Sequence, residues 1–352
     1  MSGRLDLRRG VVVLADPLAV EIEGERRRAW ADEVLLGPMR EGDEVIVNAA
    51  ALDLGLGSGG FDIVHVNLTR GLGGGVEGDA HVMKLNYTSL QHPVKDLCVE
   101  FRSLAEQGST QRPSLGGRDR HARVGVLPLH GHLAPAAWAA ARARPGSRVG
   151  YVQTGGGALP GSLSRDVAEL RERGLLCGHI TAAPSYGGEH EALSTVAALD
   201  AAAEALGWDA ILVGPGPGII GSDTEFGHGG MAALDSAHAA LSLRLPTVLS
   251  PRLSAADPRE RHRGLSHHTA TVLGLLLAPV TVAVPEAVED GGAELASGIE
   301  TAGGGRHHLK FASVDLEGYS ASGLPTTTMG RPIAADPLFF AAALAAGSLL
   351  VA

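Results

Sequence analysis

A chain of 352 residues with 45% hydrophobic side chains can hold two domains and bury a core in each. Its 29 basic and 39 acidic residues leave a formal charge of −10, which removes the electrostatic footprint of a general nucleic-acid binder. Two cysteines, Cys98 and Cys177, form no CxxC pair, so the expectation is a reducing compartment with thiols used as small apolar groups.

In chain order, Val11-Val12-Val13-Leu14-Ala15 follows Arg8 and Arg9 but is cut by Asp16-Pro17, too early for a signal-peptide core. It reads as the first strand of a β-rich region. Further short runs at 19–22, 44–48, 61–66 and 82–86 are separated by turns, and 19–23 alternates as a half-buried strand should. Residues 1–105 are therefore expected to form a small β-barrel or β-sandwich domain. Residues 106–121 carry almost no large apolar side chain and read as a linker or mobile loop.

Over 122–352 the rhythm alternates strand and helix. Strands are expected at 123–127, 149–153, 177–182, 210–213, 247–250 and 280–284, with helices at 134–144, 163–173, 191–206, 231–243 and 266–277. Short apolar strands alternating with helices predict a doubly wound, mostly parallel α/β domain. The apolar run 338–352 is shorter than the roughly 20 residues of a membrane span and reads as a buried terminal helix. A cytoplasmic chain with no membrane partner is expected, and a homo-oligomer is left open.

In a parallel sheet the loops leaving the strands' carboxyl ends share one rim, where ligands bind. The polar loops follow strands: Leu129-His130-Gly131-His132, Gln153-Thr154-Gly155-Gly156-Gly157, residues 185–191, residues 214–230 and residues 251–268. The last is the richest. Arg252, Arg259, Arg261 and Arg263 face only Asp257 and Glu260 nearby, and Ser266 opens a helix. Guanidinium groups beside a helix amino end suit a phosphate or carboxylate. Arg252, Arg259, Arg261, Arg263 and Ser266 are the expected anion ligands, with Gly155, Gly156, Gly216 and Gly218 letting backbone approach a ligand or another loop. The competing reading is a solvated loop whose arginines pair with acids elsewhere.

His262, His267 and Glu189 are the acid/base candidates. For a metal, His130, His132, His190, His228 and His262 could combine with Asp223, Glu189 or Glu191, but no HExxH or Cys/His spacing occurs, and the metal and cofactor stay unassigned. His267 and His268 are consecutive, so on a helix they diverge by roughly 100°, and only one of them is expected to reach a shared ion. The match to GxGxxG at Gly216, Gly218 and Gly221 contains Pro217 and lacks a helix opening at the glycines, which argues against a nicotinamide cofactor. No GxSxG elbow and no GxxxxGK[ST] loop is present, against an ordinary α/β-hydrolase or a P-loop NTPase.

Four stretches together resemble the bacterial domain-of-unknown-function family 3866: residues 82–88 (VMKLNYT), 214–221 (GPGPGIIG), 254–269 (SAADPRERHRGLSHHT) and 328–331 (TMGR). The resemblance spans nearly the whole chain and implies no activity. Two function classes follow from the residues. One is an enzyme acting on a small anionic metabolite, phosphorylated ones included; the other is a ligand-sensing or scaffold protein binding an anion at the same rim without turnover.

Overall fold

The structure, a computed structural model, describes residues 4–57, 59–74, 80–97, 99–100, 121–222, 224–286 and 292–352. The chain divides into two compact units, Met1–Ala80 and His81–Ala352. The linker expected over 106–121 lies, apart from His121, outside the described residues, as does Cys98.

In the first unit, β1 (Leu7–Leu14), β2 (Ala19–Ile22), β3 (Glu25–Trp30), β4 (Glu44–Asn48) and β5 (Asp62–Asn67) close into a barrel in the order β1-β2-β3-β5-β4. Closure comes from β1, which pairs antiparallel with both β2 and β4, and this decides for the barrel over the sandwich. Alternation sets what faces in: Val45 and Val47 of β4 join Val12, Val20, Ile22 and Val64 in the core. The strand β3 has no apolar signal in its first half because Arg26, Arg27 and Arg28 stand in a row. It is held by the β2 ladder and by Arg27, which donates to the buried Asp62 at 3.0 Å.

Residues 81–97 pack with the second unit. The expected strand at 82–86 is a two-stranded ribbon of Val82–Lys84 and His92–Val94, and its Lys84 is buried, donating to the main-chain oxygens of Thr181 at 2.7 Å and Ser185 at 2.5 Å and to the Glu191 carboxylate.

The second unit is built on β6 (Arg123–Val126), β7 (Val149–Thr154), β8 (His179–Ala182), β9 (His190–Ala192), β10 (Ala210–Pro215), β11 (Thr247–Leu249), β12 (Thr281–Pro285) and β13 (His308–Ala312). They form one all-parallel sheet in the order β9-β8-β7-β10-β6-β11-β12-β13. Its helices are α1 (Leu133–Ala143), α2 (Arg165–Glu172), α3 (Thr195–Glu204), α4 (Ala232–Ser242), α5 (His267–Leu275), α6 (Gly292–Ala302), α7 (Leu316–Ser320) and α8 (Pro337–Leu350). Strand β10 shows how the faces divide. Ile211 and Val213 pack in a core with Leu199 of α3, Ala237 of α4 and Leu273 of α5, whereas Ala210 and Leu212 pack with Ala136 of α1 and Phe340 of α8. Both faces are covered, so every residue of β10 is buried. Each fully buried aliphatic side chain contributes about 1.5–3 kcal/mol.

The terminal apolar run is α8, packed against α1 in that second core. Among the described residues no helix is long and apolar enough to cross a membrane. The helix expected from residue 191 begins later, at Thr195 with Ser194 as its cap, because residues 190–192 pair with β8 as an edge strand. The helix-favouring Glu191 and Ala192 are overridden by that ladder.

Candidate functional site

Since all eight strands run parallel, the loops after β6, β7, β10 and β11 leave the sheet at one edge. The loops after β7 and β10 meet backbone to backbone, where Ala158 N–H donates to Pro217 O at 2.7 Å; within the first loop, Gln153 Nε2 donates to Ala158 O at 3.0 Å. A Cβ on Gly157 would stand 2.1 Å from Gly216 O, one on Gly216 2.2 Å from Ala158 O, and one on Gly229 1.9 Å from Gly156 O. Glycines 156, 157, 216 and 229 thus let one loop touch another, while Gly155 lies against Pro184 and Gly218, at φ +72°, opens onto free space. Gly229→Ala is expected to cost about 1–3 kcal/mol by overpacking this contact. Urea unfolding checks it, and an unchanged midpoint would mean the loops part freely.

The arginine-rich stretch folds around a buried carboxylate. Asp257 is fully buried and accepts two parallel hydrogen bonds from Arg259, Nε to Oδ1 at 3.0 Å and Nη2 to Oδ2 at 3.0 Å. Arg252 Nη2 donates to Oδ2 at 3.3 Å, and Arg331 Nη2 stands 3.6 Å from the same oxygen. Burial alone would raise the Asp257 carboxyl, but the hydrogen bonds from Arg259 outweigh it and hold the group well below the usual carboxylate range. Arg252 is itself buried, and burial, ahead of the neighbouring Arg259, pushes it down to about 10. Arg331 arrives from the turn of the ribbon Thr327–Thr328/Arg331–Pro332, where Met329 and Gly330 have φ of 45° and 77°. Those two left-handed residues make the tight reversal of a hairpin. Met329 Sδ meets Arg252 at 3.5 Å and Arg259 at 3.9 Å, so with the Arg331–Asp257 pair residues 254–269 and 328–331 join at one point.

The expected anion ligands therefore separate. Arg259 is committed to Asp257, Arg263 donates its Nε to Asp257 O at 3.0 Å, and Arg261 is exposed. Ser266 is buried and caps α5, accepting from His268 N–H at 3.3 Å, and its hydroxyl also lies 2.7 Å from His262 Nδ1. Arg252 is the predicted residue that lies deep in the site. Arg331, far from the rest in sequence, was marked only as part of the stretch 328–331 of the family resemblance; Asp257 carried a signal of its own, as an acid set among arginines.

The histidines converge. One ligating atom from each of His262, His267 and His268 lies within 4.8 Å of the others. Ring centroids of His267 and His268 are 4.3 Å apart, those of His262 and His267 4.9 Å, and His228, from the loop after β10, stacks on His268 at 3.6 Å. The two consecutive rings stand nearer to each other and to His262 than their expected divergence on a helix implied. His267 and His268 open α5, where no preceding helical turn restricts their χ1 rotamers, so both rings fold toward His262. All are held neutral: burial, then Arg252 and Arg259, push His262 down to about 3, and burial with neighbouring cations lowers His228, His267 and His268 as well.

Other candidates stand apart. His132 Nδ1 lies 2.9 Å from Ser250 Oγ, joining the ends of β6 and β11, and His130 Nε2 lies 2.8 Å from Ser164 Oγ at the cap of α2. Glu189 immediately precedes β9, level with the amino end of β8 and opposite the rim, and pairs with Arg171, with Nη2 to Oε2 at 2.9 Å. It is not brought to His262 or His267. His190 lies on the edge strand β9, Glu191 is bound to Lys84, and Asp223 is outside the described residues.

A family model described as "Protein of unknown function (DUF3866)" matches residues 28–347, which include the four stretches that carried the resemblance. No curated protein and no solved structure matches the chain. With the match running from within β3 through the later barrel strands, the whole sheet and the arginine-histidine stretch, the chain belongs to the DUF3866 family.

Proposed function

We propose that this bacterial-type chain is a cytoplasmic enzyme acting on a small anionic metabolite, phosphorylated ones included, at the carboxyl-end rim beside Arg252 and the histidines. One observation carries this reading: guanidinium nitrogens of Arg252 and Arg331 are buried there and, among the described residues, make no hydrogen bond. Arg252, Arg259 and Arg331 converge on Asp257, and Arg331 shares Asp336 through a 3.1 Å hydrogen bond, so three guanidinium groups face two carboxylates. Among the described residues Arg252 Nε and Arg331 Nη2 are buried donors that make no hydrogen bond. Buried donors of this kind are costly unless an acceptor reaches them. An anionic group supplies that acceptor, and the neutral imidazoles alongside supply acid/base capacity. Nucleic acid is disfavoured as the anion by the overall charge of −10.

The test follows consumption of an anionic metabolite pool by mass spectrometry, with Arg252→Gln as the comparison. The native chain is expected to deplete an anionic species and Arg252→Gln to bind it about 1.5–3 kcal/mol more weakly. Binding without depletion would favour the sensing reading. Depletion of neutral species only, unaffected by Arg252→Gln, would overturn both.

A further inference from the structure

We propose that His262, His267 and His268 together ligate one divalent transition-metal ion of the zinc class, so that the rim holds a metal centre next to Arg252. This rests on the rim being the reaction centre, and adds its cofactor.

The geometry supplies the ligand set. Three ring nitrogens within 4.8 Å of one another come from two adjoining elements, the turn Glu260–His262 and the first turn of α5. His262 is fully buried, and its Nε2 makes no hydrogen bond among the described residues, nor does His267 Nε2. His262 Nδ1 lies 2.7 Å from Ser266 Oγ. If that nitrogen carries the proton and donates to Ser266, the lone pair sits on Nε2, inside the cluster. A ligating imidazole is normally oriented by such a bond from its other nitrogen. Without a cation, the buried Nε2 atoms of His262 and His267 have no hydrogen-bond partner among the described residues.

The donor chemistry selects the ion. The trio is nitrogen only, with no carboxylate among the described residues of the cluster, which suits zinc, copper or nickel and disfavours magnesium or calcium. Three protein nitrogens leave a coordination position for water or substrate, as in hydrolytic zinc sites, where bound water is acidified to a pKa of about 7. Arg252 Nη1, which can only donate, stands 3.3 Å from His268 Nδ1, so a metal held by His268 takes the place of that contact and leaves the guanidinium beside the centre, where it favours an anion over a neutral molecule as the fourth ligand. His228 is stacked face to face on His268, ring planes 12° apart, so it orients that ring and lies outside the ligating set.

The experiment uses the untagged full chain, stripped with a chelator and then titrated with Zn2+ alone and with Co2+ alone. One equivalent of each is expected to bind, and Co2+ should show the intense visible absorption of a low-coordinate nitrogen site. His262→Ala, His267→Ala and His268→Ala should each weaken Zn2+ binding more than the roughly 10–100-fold expected for Ser266→Ala, which removes the hydroxyl that positions His262 and caps α5. His308→Ala, exposed on β13, should leave it unchanged. Circular dichroism separates misfolding from ligand loss, and the Co2+ spectrum of the native chain stands whatever the variants do. Less than one equivalent bound, or equal binding by the three variants and the native chain, would overturn the metal centre. Inorganic phosphate binding keeps the two readings apart. If phosphate binds the stripped chain and Zn2+ does not, the metal centre fails and the anion site stands. If Zn2+ binds and Arg252→Gln leaves phosphate binding unchanged, the reverse holds.

Discussion

Asp257→Ala is expected to destabilise the second unit by about 3–5 kcal/mol, the scale of breaking a buried ion pair from one side. The Asp257 side chain is fully buried and Arg252 is 7% exposed, so removing the carboxylate strands a guanidinium group where water cannot replace the lost partner. Arg259 and Arg331 lose the same anchor, and the turn that holds His262 loses the acceptor that orders it. Asp257→Asn keeps an acceptor and the shape but not the charge, and should fall between the native chain and alanine. Urea unfolding at neutral pH measures both variants. A loss under about 1 kcal/mol for alanine would mean that the arginines are screened as a surface cluster would be.

Of the fall in unfolding free energy expected between neutral pH and pH 5, about 4 kcal/mol comes from His132, in the turn after β6, and His179, at the start of β8, with the depressed histidines of the site adding to it. Burial, ahead of Arg252 for one and of His130 for the other, pushes His132 and His179 down to about 3. In the unfolded chain an imidazole titrates near 6.5. Between those values only the unfolded chain takes up the proton. The stabilisation is therefore complete above about 6.5 and is lost progressively as pH falls toward about 3, each group contributing roughly 1.4 kcal/mol per pH unit. Carboxylates titrate in the unfolded chain near 4, so the window from 6.5 to 5 belongs to the imidazoles. Denaturant unfolding at pH 7, 6 and 5 reads the slope, and His132→Gln, which can still reach Ser250, should reduce it by one proton's worth. Stability constant across that window would contradict the neutral buried state of both rings.

The physical reach of the sequence differs from element to element. Strands such as 210–213 and 247–250 were legible because a sheet covered on both faces demands unbroken apolar runs, and the structure gives Ala210–Pro215 and Thr247–Leu249. Other strands were not: the edge strands His190–Ala192 and His308–Ala312 are set by ladders to β8 and β12, and the arginine strand Glu25–Trp30 by ladders to β2 and β5. The glycine loops were legible as places of close approach, but only packing shows that Gly156 meets Gly229 and Gly157 meets Gly216.

The sequence by itself determined an α/β chain with a β-rich amino-terminal part, a common rim for the loops, and a concentration of arginine and histidine on one of them. Local pattern carries this information, since period, turn residues and charge density are properties of short segments. Tertiary structure alone decided what that chemistry is aimed at. It closed the barrel, bound the exposed Arg259 to the buried Asp257 carboxylate and Arg263 to its main-chain oxygen, brought Arg331 from a distant hairpin, and gathered His262, His267 and His268 with His228 stacked beside them. Side-chain direction at a helix end and pairing across the fold depend on rotamers and long-range packing, which no spacing of residues along a chain encodes.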